Sequence, residues 1–288
     1  MKHGIYYSYW EHEWRADFLG YIEKVARLGF DVMEIAAHHI NDYSSEKLSA
    51  VRQCAKDNGI ALTAGIGPSK EKNLSSPDPL VRKAANEFFR ETLENVAKID
   101  VHVIGGALYT YWPIDYSKPV DKAGDRARGI EGIRGIADFA NDLGINLCLE
   151  VLNRFENHVL NTAAEGVSFV QEVDKPNVKV MLDTFHMNIE EDSMGGAIRS
   201  AGALLGHFHT GECNRKVPGR GRMPWREIGE ALRDINYAGA VVMEPFVKMG
   251  GTIGSDIKVW RDLSQGADAA QMDQDAKDAL IFSRYMLG

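Results

Sequence analysis

The chain has 288 residues, with 33 Lys and Arg against 41 Asp and Glu and a formal net charge of −8. The negative balance argues against nucleic acid and anionic membranes as partners, because bulk polyanions are repelled. Its 44% hydrophobic and 26% charged content suits a folded globular domain and argues against disorder, collagen and coiled coil. Cys54, Cys148 and Cys213 are sparse, odd in number and without CxxC spacing, which argues against a disulfide framework or zinc knuckle and fits a reducing cytoplasm. Met1 to Tyr6 lacks a signal-peptide apolar region, and no run of about 18 apolar residues is present to span a bilayer. A cytoplasmic location is expected.

No low-complexity stretch or long linker divides the chain, so residues 1–288 read as one domain. Short apolar runs alternate with amphipathic segments. Strands are expected at Gly4–Tyr9, Val32–Ala36 and Ala61–Ile66. A helix follows over Val81–Lys98, with Asp78-Pro79 as its start signal. The next strand is Val101–Gly106. A helix then runs from about Asp125 to Leu143, where Gly129, Gly132 and Gly135 lower helix propensity and imply close packing on a neighbour. Strands follow at Asn146–Val151, Val178–Asp183, Leu205–Thr210 and Ala240–Glu244, and a last helix spans about Asp268–Met286. Gly29, Gly59 and Gly144 each sit where a helix should end before the next strand.

Eight strands over 288 residues give 36 residues per unit, a comfortable strand-loop-helix-loop length. Such alternation means an α/β fold with a parallel sheet, and eight units mean a closed (β/α)8 TIM barrel. A doubly wound open sheet would usually carry a Gly-rich fingerprint after its first strand, and Tyr6-Tyr7-Ser8-Tyr9-Trp10 does not resemble one.

The strand ends hold the chemistry. Strands five to eight close on Glu150, Asp183, His209 and Glu244. The C-terminal strand ends of such a barrel face the active site, and side-chain alternation turns all four inward. A single acidic residue at a strand end is more often a cap or salt bridge than a ligand. Four in succession point to a divalent cation, which relieves the repulsion of three carboxylates. The oxygen-rich set suits Mn²⁺ or Mg²⁺ better than zinc, with Co²⁺ as a substitute.

Asn153, Arg154 and Glu156 after strand five, His186 after strand six, and Arg215 in the loop after strand seven belong over the mouth, where substrate-binding groups sit. Tyr6, Tyr7, Trp14, Trp112 and Phe246 crowd other strand ends, as the walls of a sugar pocket would, although Trp14 suits helix-packing core equally well. The loop Val217–Arg222 could bind phosphate, but a solvated or subunit-contacting turn is the favoured reading. Glu34, inside strand two, is expected to be a buried structural carboxylate rather than an extra ligand. No His-Asp arrangement marks Cys148 or Cys213 as a nucleophile.

Several long runs carry a resemblance: Glu150-Val151-Leu152-Asn153-Arg154-Phe155-Glu156-Asn157, Met181-Leu182-Asp183-Thr184-Phe185-His186-Met187-Asn188, His209-Thr210-Gly211-Glu212-Cys213-Asn214-Arg215 and Met243-Glu244-Pro245-Phe246, together with Gly105–Tyr109 and Tyr111–Tyr116. Over its whole length the chain resembles the ketose 3-epimerase family of D-tagatose and D-allulose (D-psicose) 3-epimerases, most of all the D-allulose branch. The resemblance implies a xylose-isomerase-like barrel with one Mn²⁺ or Co²⁺ per subunit. It implies metal ligation by Glu150, Asp183, His209 and Glu244, with Glu150 and Glu244 also the acid/base pair. It implies substrate contacts from Glu156, His186 and Arg215 around the first carbons and from Tyr6, Trp112 and Phe246 along the tail. It further implies a homodimer or homotetramer.

Epimerisation at C3 of a ketose needs a proton removed beside the C2 carbonyl and one returned to the opposite face, so two flanking carboxylates suit it. Arg154 is expected to tune their pKa values. Free ketohexoses (D-fructose and D-allulose, then D-tagatose and D-sorbose) are the expected substrates. The alternatives are a related sugar-barrel isomerase such as a hydroxypyruvate isomerase, or a phosphosugar 3-epimerase. A zinc endonuclease on this barrel should show more His ligands and a basic face, and a non-catalytic sugar-binding module would not need two opposed carboxylates at a metal.

Overall fold

In a computed structural model that describes all 288 residues, eight parallel strands close into one barrel in sequence order. They are β1 (Lys2–Tyr6), β2 (Val32–Ala36), β3 (Ala61–Ile66), β4 (Val103–Gly106), β5 (Asn146–Glu150), β6 (Val178–Asp183), β7 (Leu205–Thr210) and β8 (Ala240–Met243). The principal outer helices are α1 (Phe18–Leu28), α2 (Ser45–Asp57), α3 (Pro79–Lys98), α4 (Lys122–Asp142), α5 (Ala163–Val173), α6 (Thr184–Glu190), α7 (Met194–Ala201), α8 (Trp225–Asp234), α9 (Gly251–Ile257) and α10 (Ala269–Leu287). The expected (β/α)8 barrel holds. No helix is long and apolar enough to cross a membrane.

Local chemistry explains the element ends. Asp78 caps α3, its carboxylate accepting from the Leu80 amide at 2.8 Å, with Pro79 in the first turn. Gly144 follows α4 with φ +71°, a left-handed conformation that turns the chain into β5. In α4, a Cβ at Gly132 would lie 2.7 Å from Leu74 Cβ, and one at Gly129 would lie 3.0 Å from the Tyr109 carbonyl oxygen. The helix is held that close by glycines, as the sequence implied.

Four strands differ from their expected bounds; β5 does so only by ending at Glu150, one residue early, and β1 also begins at Lys2. β1 stops at Tyr6, and Tyr7–Trp10 turn into a fully buried 3-10 segment. Tyr7 packs its ring 5.2 Å from Phe18 of α1, so aromatic packing bends the chain where an apolar run alone reads as extended. β4 starts at Val103, because the Val101 amide bonds the Val96 carbonyl at 3.1 Å and belongs to the end of α3. β8 stops at Met243, yet the Glu244 amide still donates to Thr210 at 3.0 Å, which holds Glu244 against β7.

The core lies between strands and helices, with Leu147, Leu149, Val180, Leu182 and Phe208 buried alongside Ile22, Phe89, Leu93 and Ile133. The opposite face of each strand fills the barrel. Its register aligns Tyr6 with Glu34 and Glu34 with Thr63 on one side, and Asp183 with His209 and His209 with Val242 on the other.

Candidate active site

Glu150, Asp183 and His209 end β5, β6 and β7, and Glu244 follows β8, so the barrel brings them to one mouth. A cavity of about 520 Å³ opens there. Of the ten residues singled out in the sequence, nine line it: Tyr6, Trp112, Glu150, Glu156, His186, His209, Arg215, Glu244 and Phe246. The tenth, Asp183, is fully buried and groups with both His209 and Glu244 and with Glu150 and His186.

Two atoms of this donor set have no partner in the protein. Asp183 Oδ1 accepts from the Phe185 amide at 2.8 Å, while Asp183 Oδ2 is buried without a partner. His209 Nε2 contacts Glu34 Oε1 at 2.8 Å, while His209 Nδ1 is buried and has no hydrogen-bond partner, with Glu244 Oε1 3.5 Å away. Ligating atoms of Asp183, His209 and Glu244 lie within 4.8 Å of one another, as do those of Glu150, Asp183 and His186. Buried polar atoms normally find partners, so this cluster of carboxylates and imidazole fits a divalent cation.

His186 has a different role from His209. Its Nδ1 faces the Asn153 amide at 3.2 Å and Asn153 Nδ2 at 2.8 Å, both donors. The ring proton is therefore on Nε2, which points towards Glu150 Oε1 at 3.7 Å. His186 is a hydrogen-bond donor to the cavity rather than a ligand.

Charge is concentrated here. Burial, and then the neighbouring Glu244, push the Glu150 carboxyl well above the usual carboxylate range. Burial also raises Asp183, against the pull of His186. Burial would raise Glu156, but His186 and Arg215 outweigh it and hold that carboxylate low. Burial alone would depress His209; Glu34 and Glu244 reverse this and lift it well above the usual imidazole value. Glu156 accepts from Arg215 Nη2 at 3.0 Å, Trp112 Nε1 at 3.2 Å and Asn153 Nδ2 at 3.3 Å. The Arg215 guanidinium lies 3.5 Å from the Phe185 ring centre and also reaches Glu244 Oε2 at 3.4 Å.

The walls are aromatic. Trp14 lines the cavity, donates to Asp256 Oδ2 at 2.8 Å and meets Trp112 edge-on at 6.3 Å, which decides its position in favour of the pocket. Trp112 lies on Gly67, where a Cβ would come within 2.9 Å of the indole. Arg154 is placed differently from expectation. It pairs with Glu190 at 2.8–2.9 Å, with its side chain 62% exposed, because Glu190 at the end of α6 offers it a two-oxygen fork away from the mouth. The loop after β7 folds on buried Glu212, which accepts from the Gly219 amide at 2.7 Å, Met223 amide at 3.2 Å and Trp225 Nε1 at 2.8 Å. Burial pushes the Cys148 thiol up to about 12, so it is no nucleophile.

Both the sequence and the fold match known proteins. Residues 22–263 match the family model described as xylose isomerase-like TIM barrel. The D-psicose 3-epimerase of Agrobacterium fabrum (strain C58) is 77% identical over 288 residues, covering 100% of both chains. The chain belongs to the D-psicose 3-epimerase family of ketose 3-epimerases. A crystal structure of a family member determined in the presence of D-fructose is 77% identical, covers 100% of both chains and superposes with a TM-score of 0.99. A second, the Clostridium cellulolyticum H10 enzyme with D-tagatose, is 65% identical, covers 100% of this chain and 99% of that one, and also gives 0.99.

Sequence reasoning put Asn153 over the mouth as a substrate-binding group, whereas it orients His186; it did not single out His207, His38 or Ile257. His38 lies two residues past the end of β2 and lines the cavity with its Nε2 3.0 Å from the Gly67 carbonyl, so its place just after a strand end was the available signal. Ile257 enters from α9, after the last strand, and nothing in its spacing marks it.

Proposed function

We propose that this protein is an isomerase that inverts C3 of free ketohexoses, with D-fructose and D-psicose as the principal pair and D-tagatose and D-sorbose as further substrates. The observation that carries the reading is that Glu150 and Glu244, from strands on either side of β6 and β7, line one cavity and each group with Asp183, whose Oδ2 has no partner, as His209 Nδ1 has none. The substrates follow from relatives solved with D-fructose and with D-tagatose.

Glu150, Asp183, His209 and Glu244 would hold the divalent cation, and Mn²⁺ suits their hard, oxygen-rich set, with Co²⁺ or Mg²⁺ as substitutes. When bound, the cation supplies Lewis-acid polarisation of the ketose oxygens.

The chain's own groups carry the protons. One of Glu150 and Glu244 accepts the C3 proton. The C–H electron pair becomes the C2–C3 double bond as the carbonyl electrons move to O2. The other carboxyl, protonated, returns a proton to the opposite face of C3, and the carbonyl reforms. Both carboxyls line one cavity, and burial and then Glu244 raise Glu150, so the pair favours holding one proton between them, the state a two-base exchange needs. The His186 Nε2–H and the Arg215 guanidinium are the donors available to an oxygen gaining charge. Trp112 and Asn153 hold Glu156, and Tyr6, Trp14, Trp112 and Phe246 exclude water and pack the sugar tail.

Arg215 is the only Lys or Arg lining the cavity, and it is shared by Glu156 and Glu244. A phosphosugar would find no free cation, which favours the unphosphorylated substrate. A homodimer or homotetramer is supported by the exposed Phe155 and Trp260 near the mouth, and free cysteines fit a cytoplasmic setting. The test of the reading is Glu150→Gln and Glu244→Gln. Each should lose at least about 10³-fold in kcat with the fold intact, and near-full activity in either would overturn the two-carboxylate scheme.

A further inference from the structure

A barrel interior is usually filled by branched apolar side chains. Here the layer below the mouth is polar. Glu34 is fully buried, and its two oxygens divide their partners. Oε1 meets His209 Nε2 at 2.8 Å; Oε2 meets His207 Nε2 at 2.6 Å and accepts from Thr63 Oγ1 at 2.7 Å. The neighbouring strands leave room for this cluster. A Cβ at Gly65 would lie 3.1 Å from Glu34 Oε1 and 3.2 Å from the Tyr6 hydroxyl, and one at Gly105 would lie 3.5 Å from His207 Cδ2. A buried carboxylate costs stability unless fully paired, and here both oxygens have partners, His209 on one and His207 and Thr63 on the other.

We infer that Glu34 is a positioning residue that fixes the His209 tautomer, keeping the ring proton on Nε2 and turning the Nδ1 lone pair into the cation site. An ionised carboxylate can only accept hydrogen bonds, so the contact at Oε1 requires the proton on His209 Nε2. The other nitrogen, Nδ1, is the buried atom without a hydrogen-bond partner beside Asp183 and Glu244. A carboxylate behind a ligating imidazole also raises its basicity, and removing such a partner typically weakens metal binding about 10–100-fold. Glu34 is thus neither an additional ligand nor only a core filler. Glu34 borders the cavity and groups with His207 and His209, but both of its oxygens are already bonded, which leaves neither free for the cation.

The inference rests on the reading of His209 as a metal ligand, and three variants separate the two. Mn²⁺ affinity is measured on metal-stripped protein by the free-Mn²⁺ electron paramagnetic resonance signal, alongside the melting temperature of the metal-free form. Glu34→Gln keeps the shape but offers an amide whose N–H₂ competes to donate to an imidazole, and should weaken Mn²⁺ binding about 10–100-fold. Saturating Mn²⁺ should restore much of its kcat. Thr63→Val removes one donor to Oε2, keeps both imidazole contacts, and should change Mn²⁺ affinity less than about threefold. Asp183→Asn should weaken binding at least as much as Glu34→Gln. Wild-type affinity in Glu34→Gln, or equal loss in Thr63→Val, overturns the role of Glu34. Unchanged affinity in Asp183→Asn as well overturns the cation site itself. If Glu34→Gln fails to fold, the ¹⁵N spectrum of histidine-labelled wild type saturated with diamagnetic Mg²⁺, assigned against His209→Asn, decides: a His209 proton kept on Nε2 supports the inference and one kept on Nδ1 overturns it.

Discussion

Asn153 and His186 are locked together by two donors on one acceptor, the Asn153 amide at 3.2 Å and Nδ2 at 2.8 Å from His186 Nδ1. This contact sets which nitrogen of His186 faces the cavity. Asn153→Ala leaves the backbone donor in place and should lower kcat/KM by about 10-fold. Asn153→Asp puts an acceptor against Nδ1, favours a proton there, and should cost about 100-fold or more, the scale of a lost transition-state donor. Steady-state kinetics on D-fructose check the order, and an aspartate variant as active as the alanine one would contradict it.

Arg215 serves Glu156 and Glu244 at once, at 3.0 and 3.4 Å, while stacked on Phe185. Lysine has neither the planar fork nor the stacking face. Arg215→Lys should lose about 10²-fold in kcat/KM, with the melting temperature changed by only a few degrees. Kinetics and a thermal melt on the same sample test this, and a lysine variant within threefold of wild type would count against it.

Gly132 brings α4 onto Leu74, where a Cβ would sit at 2.7 Å. Alanine gains about 1 kcal/mol of helix propensity but overpacks a rigid contact at about 1–3 kcal/mol. Gly132→Ala should therefore be neutral to destabilising by about 2 kcal/mol. Gly20 in α1 has open space at its Cβ, and Gly20→Ala should stabilise by up to about 1 kcal/mol. Denaturant melts check the order: Gly20→Ala should be the more stable of the two variants, and Gly132→Ala equal to it or more stable would contradict the packing argument.

Burial pushes the His38 imidazole down to about 4, so it is neutral in the folded protein at pH 7. The unfolded chain binds that proton near pH 6.5. The resulting stability is fully present above pH 6.5 and is lost as the pH falls towards 4. His38→Gln, which can still donate to the Gly67 carbonyl, should lose less stability over that window than wild type does. Urea melts at pH 7 and pH 4.5 compare the two losses, and equal losses would contradict the assignment.

The alternation of strand and helix made the barrel legible, because inward carboxylates at strand ends break an otherwise apolar pattern. Glu150, Asp183, His209 and Glu244 stood out for that reason. Tyr7 to Trp10 misled, since an apolar run reads the same whether it extends a strand or bends into an aromatic cluster. Arg154 misled because proximity in sequence to Glu150 says nothing of Glu190, 36 residues on, which captures it. Glu34 was visible as an odd residue in β2, but its partners His207 and His209 lie 173 and 175 residues away, and only barrel closure brings them to it.

The most direct measurement of the two-carboxylate account is a single turnover of the Mn²⁺-loaded protein on D-fructose in D₂O, with the product D-psicose analysed at C3. A proton taken by one carboxylate and returned by the other must come from a group in exchange with solvent. The account predicts near-complete deuterium at C3 of the first product formed. Product that retains its original hydrogen at C3 would show one group acting on both faces and would contradict it.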